Sequence, residues 1–164
     1  MFEKLGKDYT KTVYVLEDNY TKPVRITDPG EDGKFFAESC YVIDIKGTGH
    51  RYLICWMGNN LIGDQVAKTS EAMDEICEHL NTSDMTRMRV RKGHETEELL
   101  RFFPNGFIIL DEARVPLSDF YKKVEEKGTM FRVQAPFGAG ARSIEQNERC
   151  GKYLNSGDAF VVFM

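Results

Sequence analysis

The sequence contains no long apolar run and no apolar segment near its start. No stretch approaches the roughly 18 consecutive apolar residues that a membrane-spanning helix requires. The first eight residues, MFEKLGKD, mix charged and apolar side chains, whereas a secretory signal needs a continuous apolar core. We therefore expect neither a membrane span nor a signal peptide, and we expect a cytoplasmic location.

An excess of positive charge is also absent. The chain has 22 lysine and arginine residues against 26 aspartate and glutamate residues, which gives a net charge of −4. A protein that binds nucleic acid through its phosphates usually carries an excess of basic side chains. The composition therefore argues against nucleic acid as a partner.

Cysteine is scarce and is not arranged for metal binding or for disulfides. The four cysteines, Cys40, Cys55, Cys77 and Cys150, are widely spaced and form no Cys-x-x-Cys pair. Three of them lie inside apolar runs, where a free cysteine behaves as a small hydrophobic side chain. This usage is typical of a protein in a reducing compartment, and it predicts neither a zinc site nor a disulfide framework.

Signatures of catalysis are weak. The sequence has no P-loop and no nucleophile elbow beside any of its three histidines. Gly138-Ala139-Gly140 resembles the start of a dinucleotide fingerprint, but no helical pattern follows it, so a loop is favoured. We expect a protein that is not an enzyme. A hydrolase that uses a carboxylate such as Asp64 or Glu71 is the alternative.

What the sequence does contain is an internal repeat. Residues 14–45 recur loosely, but in order, at residues 131–164. Self-similarity of this kind indicates tandem structural units. We predict a complete domain at 1–110, a connector at 111–128, and the beginning of a second copy at 129–164. The second copy stops after its opening strands, so we expect a longer parent chain or self-association through its last, apolar strand.

Aromatic and β-branched runs predict five strands, which turn residues separate. The strands are placed at 13–16, 40–45, 51–56, 86–91 and 107–110. Helices are placed at 64–80, at 95–103 and, within the connector, around 117–126. The order of the elements before the connector, β-β-β-α-β-α-β, favours an α+β protein with a mixed sheet over a doubly wound α/β fold.

The long helix has two chemically different faces. Apolar positions recur at helical spacing and predict an inner face made of Val66, Thr69, Met73, Ile76, Cys77 and Leu80. The other positions are mostly charged and predict an outer face made of Lys68, Glu71, Ala72, Asp74, Glu75 and Glu78. Gly63-Asp64 marks the start of the helix and Asn81 marks its end.

Five stretches, in this order and with this spacing, resemble the gelsolin/villin repeat. They are GKFFAESCYVI (33–43), LICWMGN (53–59), GDQVA (63–67), MRVRKGHET (88–96), and FRVQ (131–134) with LNSGDAF (154–160). The resemblance implies a gelsolin-like fold, in which a mixed five-stranded sheet lies between one long and one short helix. It also implies an actin-binding protein that caps, severs or nucleates filaments, often under calcium control and sometimes inhibited by phosphoinositides. A gelsolin-like scaffold or coat module that does not bind actin is the alternative.

The resemblance also implies positions for calcium ligands. In the family, an aspartate before the second strand and a glutamate in the first turn of the long helix supply carboxylates. The matching residues here are Ser39 and Gln65, and a later helix position that some repeats use is Cys77. Because calcium prefers many charged oxygen ligands, we predict weak or no calcium binding by the first repeat. The second copy keeps Gly157 and Asp158, which form half of such a site.

Docking to actin is expected to use the outer face of the long helix. The candidate residues are Asp64, Lys68, Glu71, Ala72, Asp74, Glu75 and Glu78. A solvated helix face is the alternative, since burying unpaired charges is costly. On the fourth strand, alternating arginines predict one basic face, which is either a phosphoinositide patch or a solvent-facing edge paired with nearby glutamates. This patch consists of Arg87, Arg89, Arg91 and Lys92.

Overall fold

The computed structural model describes residues 8–59, 61–82, 84–127, 129–134, 143–147 and 159–163, with side chains through residue 123. The strands in these ranges are β1 (Thr10–Leu16), β2 (Lys22–Arg25), β3 (Lys34–Phe36), β4 (Cys40–Lys46), β5 (Arg51–Met57), β6 (Met85–Arg91), β7 (Phe107–Leu110), β8 (Thr129–Gln134), β9 (Ser143–Asn147) and β10 (Ala159–Phe163). The three helices that pack on the sheets are α1 (Asp64–Leu80), α2 (Glu97–Leu100) and α3 (Leu117–Lys127). A short turn, Glu17–Tyr20, in which Asp18 and Asn19 have left-handed backbone angles, joins β1 to β2.

The first sheet has five strands in the order β2-β1-β4-β5-β6. Its neighbouring strands are antiparallel except for β5 and β6, which run parallel, so the sheet is mixed. β4 and β5 form a hairpin whose loop is closed by a hydrogen bond from the N–H of Gly47 to the carbonyl of His50 at 2.9 Å. Parallel neighbours need a crossover connection, and α1 supplies it between β5 and β6. The predicted α+β class and mixed five-stranded sheet are confirmed.

Alternation of side chains along the strands gives this sheet two apolar faces. The face under α1 consists of Leu16, Cys40, Val42, Leu53, Cys55 and Met57. The opposite face packs against α2 and the segment after it, and it includes Tyr41, Ile43, Ile45, Tyr52, Ile54 and Trp56. The long helix and the short helix therefore lie on opposite sides of the sheet, as the resemblance implies.

The strand at Phe107–Leu110 lies outside the first sheet, although the sequence analysis placed it there. It pairs in parallel with β3, in a register that sets Phe35 opposite Ile109. The fifth place in the first sheet is taken by β2, which the sequence analysis missed. β2 contains Pro23 and two charged residues in four positions, so it has no apolar alternation. It forms because the turn after β1 brings the chain back alongside that strand.

A second five-stranded sheet has the order β10-β8-β9-β7-β3. β8 is antiparallel to both β9 and β10, and β9 is parallel to β7. The pairing of β8 with β10 repeats that of β1 with β4, since Tyr14 opposite Val42 corresponds to Phe131 opposite Val161 in the sequence repeat. These strands come from the region assigned to the second copy, and the division into repeats stays a prediction.

The observed helices agree with the predicted helix positions to different degrees. α1 spans the predicted positions. α2 is limited to four residues because Thr96 caps its start, accepting a hydrogen bond from the N–H of Leu99 at 3.3 Å, and turns follow residue 100. Leu99, Leu100 and Phe103 are buried, as predicted. α3 packs Leu117 and Phe120 into a small cluster beside β3 and β7.

Candidate functional site

The long helix α1 has defined ends. Gly63 precedes it with a φ of 48°, and Asp64 places a carboxylate in the first turn, near the positive end of the helix dipole. At the other end, Asn81 adopts a left-handed φ of 46°, and its N–H donates to the carbonyl oxygens of Cys77 and Glu78 at 3.1 and 3.2 Å. The helix therefore has a fixed length and presents fixed faces.

Five charged residues form a stripe on the side of α1 that faces away from the sheet. This outer stripe consists of Asp64, Lys68, Glu71, Glu75 and Glu78. Alternate steps of four and three residues keep these positions on one side of an α-helix. All five are exposed except Lys68, which is half-buried. Four carboxylates against one ammonium group make the outer stripe strongly acidic.

Ala72 does not belong to the outer face, where the sequence analysis placed it. Its side chain is 1% exposed and lies in the apolar cluster under α1, together with Met73 and Ile76. A rotation of about 100° per residue brings position 72 to the border of the inner face, and a methyl group fits there because the helix lies close to the sheet. With this correction, the outer stripe carries no apolar side chain.

Asp74 points to the flank of α1 beside β6. Its Oδ1 accepts a hydrogen bond from Nη1 of Arg87 at 2.5 Å, and this bond raises the pKa of Arg87. Nη2 of Arg89 donates to Oγ of Ser70 on the same flank. Between α1 and β6 lies a cavity of about 290 Å³, which we call the flank groove, lined by Ser70, Met73, Asp74, Arg87, Met88 and Arg89.

The three arginines of β6, Arg87, Arg89 and Arg91, share one side of the strand, as predicted. Met88 and Val90 alternate with them and belong to the cluster on the opposite face of the sheet, so the arginines point to the side of α1. All three are exposed. Among the described residues, Asp74 forms an ion pair with Arg87. The sequence analysis expected glutamates as the partners of the arginines.

Lys92 makes a different set of contacts from the arginines. Its N–H donates to the carbonyl of Met57 at 2.8 Å, and its Nζ donates to Oδ1 of Asn59 at 3.0 Å. The same ammonium lies 3.7 Å from a carboxylate oxygen of Asp111. Lys92 therefore connects the turn after β6 to the loop after β5 and to the connector.

The residues at the family's calcium positions make local hydrogen bonds here. The carbonyl of Ser39 accepts from the N–H of Gly58 at 3.1 Å, and Oε1 of Gln65 accepts from a backbone N–H three residues earlier at 3.4 Å. Within the described residues, no group of three or more His, Cys, Asp or Glu side chains is arranged to hold a metal ion. Gly157 and Asp158 lie outside the described residues. Weak calcium binding stays a prediction.

The cysteines under α1 are packed thiols, as predicted. Cys40 and Cys55 are fully buried, and burial raises the pKa of Cys40 to about 12 and that of Cys55 to about 11. Cys77 is half-buried, with its Sγ 3.1 Å from Sδ of Met85. Because their raised pKa values keep the thiols of Cys40 and Cys55 protonated, these two side chains are poor nucleophiles and poor metal ligands.

Two polar contacts inside the first sheet were missed by the sequence analysis. Asp44 on β4 lies beside Arg51 on β5, with Oδ1 and Nε 3.0 Å apart. On the other face, Nε1 of Trp56 donates to Oε1 of Glu95 at 2.7 Å. The only signal for the first contact was an aspartate inside the otherwise apolar run CYVIDI, and the second contact had no local signal.

Arg114 attaches the segment after β7 to Glu31 and Glu17, contacts that the sequence analysis also missed. Its Nε and Nη2 donate to the carboxylate of Glu31 at 3.1–3.3 Å, and its Nη1 donates to Glu17 at 3.2 Å. The side chain of Glu31 is only 14% exposed. The partners are 83 and 97 residues away in the sequence, so no local pattern predicts these contacts.

Comparisons with known proteins give little further information. No family model matches this chain, and no curated protein matches it. Among solved structures, it is similar to a chain in the crystal structure of the Thorarchaeota 2DGel3/rabbit actin complex, at 19% identity and a TM-score of 0.45. That similarity covers 93% of this chain and 71% of the other, and at this level it carries no argument about function. In the described part of the chain, the helices lack the length and apolar character needed to cross a membrane.

Proposed function

We propose that the chain is an actin-binding module of the gelsolin/villin type that regulates filament assembly without catalysing a reaction. The sequence resemblance over five stretches supports this proposal. The structural observation that carries it is the exposure of the outer stripe of α1, whose carboxylates face away from the sheet. A helix of 17 residues held on a sheet is a rigid rod, and its exposed side is available to a partner.

Docking is non-covalent. The outer stripe lies against an actin subunit and blocks or reshapes its contacts with other subunits, which results in capping, severing or nucleation. Burying unpaired carboxylates is costly, so these side chains act at the rim of the contact, where charge speeds up encounter. Asp64, Lys68, Glu71, Glu75 and Glu78 are the contact residues. Asp74 contributes less because it is engaged with Arg87.

Co-sedimentation with filaments and pyrene-actin polymerisation, each in calcium and in chelator, test this proposal. We expect the chain to bind actin, and we expect Glu71→Lys with Glu75→Lys to weaken binding by about tenfold, because the charge at the middle of the outer stripe is reversed. Asp119→Lys, at an exposed position of α3, is the matched control and should bind normally. If the original chain, the double variant and Asp119→Lys bound actin with the same affinity, α1 would not be part of the contact.

The alternative is a gelsolin-like scaffold or coat module that does not bind actin. The burial of Ala72 favours it, because the outer stripe then consists of charged side chains, which are costly to bury in an apolar cleft. The same measurements separate the two functions. A folded chain that neither sediments with filaments nor alters polymerisation, in calcium and in chelator, supports the alternative.

Finer parts of the proposal concern ligands and location. The first repeat binds calcium weakly or not at all, since Ser39 and Gln65 are neutral. Self-association uses β10, which is an edge strand of the second sheet. With actin as partner, the protein is cytoplasmic and associated with the cytoskeleton. Phosphoinositides are candidate ligands of the basic patch formed by Arg87, Arg89, Arg91 and Lys92.

A further inference from the structure

The first sheet ends at β6, and this edge has the form of a strand-binding site. β6 pairs with β5 on one side and with no other described strand. An edge strand presents a row of backbone N–H and C=O groups that an added strand can pair with. β6 is seven residues long, enough for a short extended segment, and the flank groove lies beside it.

The side chains along this edge specify the chemistry of such a segment. Arg87, Arg89 and Arg91 recur at every second residue on one side, which spaces their Cα atoms about 7 Å apart. In the described part of the chain, Asp74 supplies the carboxylate within ion-pair distance of them. The other side of β6 carries Thr86, Met88 and Val90, of which Met88 and Val90 pack with the aromatic cluster of the sheet and make the second half of the strand apolar on this side. An added strand therefore meets three cations on one side and apolar surface on the other.

We propose that β6 and the flank groove bind an extended protein segment that alternates acidic and apolar residues, as an added strand of the first sheet. Backbone hydrogen bonds to the edge of β6 hold the segment, as in other complexes formed by strand addition. The arginines select carboxylates at every second position, because side chains opposite each other on paired strands lie close together. Ser70 and Met73 of α1 form the far wall of the groove.

This site differs from the surface proposed to contact actin. The outer stripe faces away from the sheet, whereas the flank groove lies between helix and sheet edge and is lined by other residues. Asp74 regulates the affinity of the groove, since it already occupies Arg87 and competes with one incoming carboxylate. Its replacement by asparagine frees that guanidinium group, so Asp74→Asn should bind the segment more tightly.

The experiment uses the full chain and a fluorescein-labelled peptide, Thr-Glu-Val-Glu-Val-Glu-Thr, with binding followed by fluorescence anisotropy. We expect saturable binding that weakens by about tenfold or more in the double variant Arg89→Glu with Arg91→Glu. Asp74→Asn should bind about threefold more tightly. Arg25→Glu is the matched control, because it makes the same change on β2 at the opposite edge of the sheet, and it should leave binding unchanged. Hydrogen exchange should show protection of β6 amides.

Two further peptides and one vesicle make the outcome decisive. Thr-Lys-Val-Lys-Val-Lys-Thr should bind the double variant better than the original chain, which also shows that the variant is folded. Thr-Val-Val-Glu-Glu-Glu-Thr has the same composition as the first peptide but no alternation. If it bound as tightly as the first peptide, strand addition would be overturned. Unchanged hydrogen exchange of the β6 amides on binding of the first peptide would overturn it as well. Binding to vesicles that contain phosphatidylinositol bisphosphate, without binding to the alternating peptide, would assign the arginines to a lipid headgroup and overturn the proposal.

Discussion

Asp44 is a charged residue in an environment that opposes its charge. Its side chain is 7% exposed, and its Oδ1 lies 3.0 Å from Nε of Arg51 without the geometry of a hydrogen bond. Burial raises the pKa of Asp44, and the positive charges of Arg51 and Lys46 offset only part of this effect. The charge of Asp44 also adds to the effect of burial in raising the pKa of Tyr14. This ion pair is therefore a weak source of stability.

The raised pKa of Asp44 predicts a pH dependence of folding. The folded protein holds this proton to a higher pH than the unfolded chain does, so stability falls as the pH rises from about 3.9, the unfolded value, through the folded value. Asp44→Asn removes this effect. We expect the free energy of unfolding of the original chain, relative to Asp44→Asn, to decrease over this interval by about 1.4 kcal/mol per unit of pKa shift. Urea unfolding followed by the fluorescence of Trp56 measures it.

Asp119→Asn is the control for this prediction, because Asp119 is exposed on α3. It measures what replacing an aspartate by asparagine does at a position that is not buried in the first sheet. The loss of a partner for Arg51 shifts the stability of Asp44→Asn by a constant amount and leaves the slope unchanged, since arginine stays charged at every pH used. A difference between the original chain and Asp44→Asn that stays flat or rises with pH would contradict the raised pKa.

At the scale of elements, the sequence predicts the helices and strands whose positions are determined by signals within their own residues. α1 was placed correctly because its apolar period, Gly63 and Asn81 are all local signals. β2 was missed because pairing with β1 stabilises it, and Phe107–Leu110 was assigned to the wrong sheet because a short apolar run does not indicate its partner. The charges of the outer stripe followed from helical period. The burial of Ala72 did not, since it depends on how closely α1 approaches the sheet.

The loop between β5 and α1 depends on a close backbone approach at Gly58. A Cβ atom at this position would lie 2.1 Å from the carbonyl oxygen of Ala37 and 2.5 Å from that of Ser39. We expect Gly58→Ala to lower the free energy of unfolding by about 1–3 kcal/mol, because backbone atoms cannot move aside as a flexible side chain can. Gly49→Ala is the matched control in an open loop, and it should change stability by less than about 0.5 kcal/mol. Equal effects of the two changes in urea unfolding would contradict this account.

At the scale of the whole molecule, the two sheets share one cluster of buried side chains, which includes residues of β3 and β7. β3 and β7 are strands of the second sheet, yet Phe35 and Phe107 belong to the cluster that also holds α2 against the first sheet. Phe36 and Leu110, on the same two strands, pack instead with α3. Residues 111–116, the first part of the connector, lead from β7 to α3, so their position decides how α3 meets the rest of the chain.

Arg114 holds this part of the connector through ion pairs with Glu31 and Glu17, next to the pair of Lys92 with Asp111. Replacing it by methionine keeps the aliphatic part of the side chain but leaves Glu31, which is only 14% exposed, without its bidentate partner. We expect Arg114→Met to lower the free energy of unfolding by about 1–3 kcal/mol and to speed up hydrogen exchange of the amides at 112–115. Arg101→Met is the matched control, because its pair with Glu97 is a surface contact worth a few tenths of a kcal/mol.

Exchanging the charges of Glu31 and Arg114 tests whether the ion pair between them holds the connector. Glu31→Arg combined with Arg114→Glu restores opposite charges at the same two positions, so exchange in the connector should return part of the way towards that of the original chain. Because Arg114 also contacts Glu17, the swap places a new carboxylate beside that side chain, and full recovery is not expected. If Arg114→Met left exchange at 112–115 as slow as in Arg101→Met, the connector would be held by the packing of Leu117 and Phe120 instead, and the ion pairs would have no measurable role.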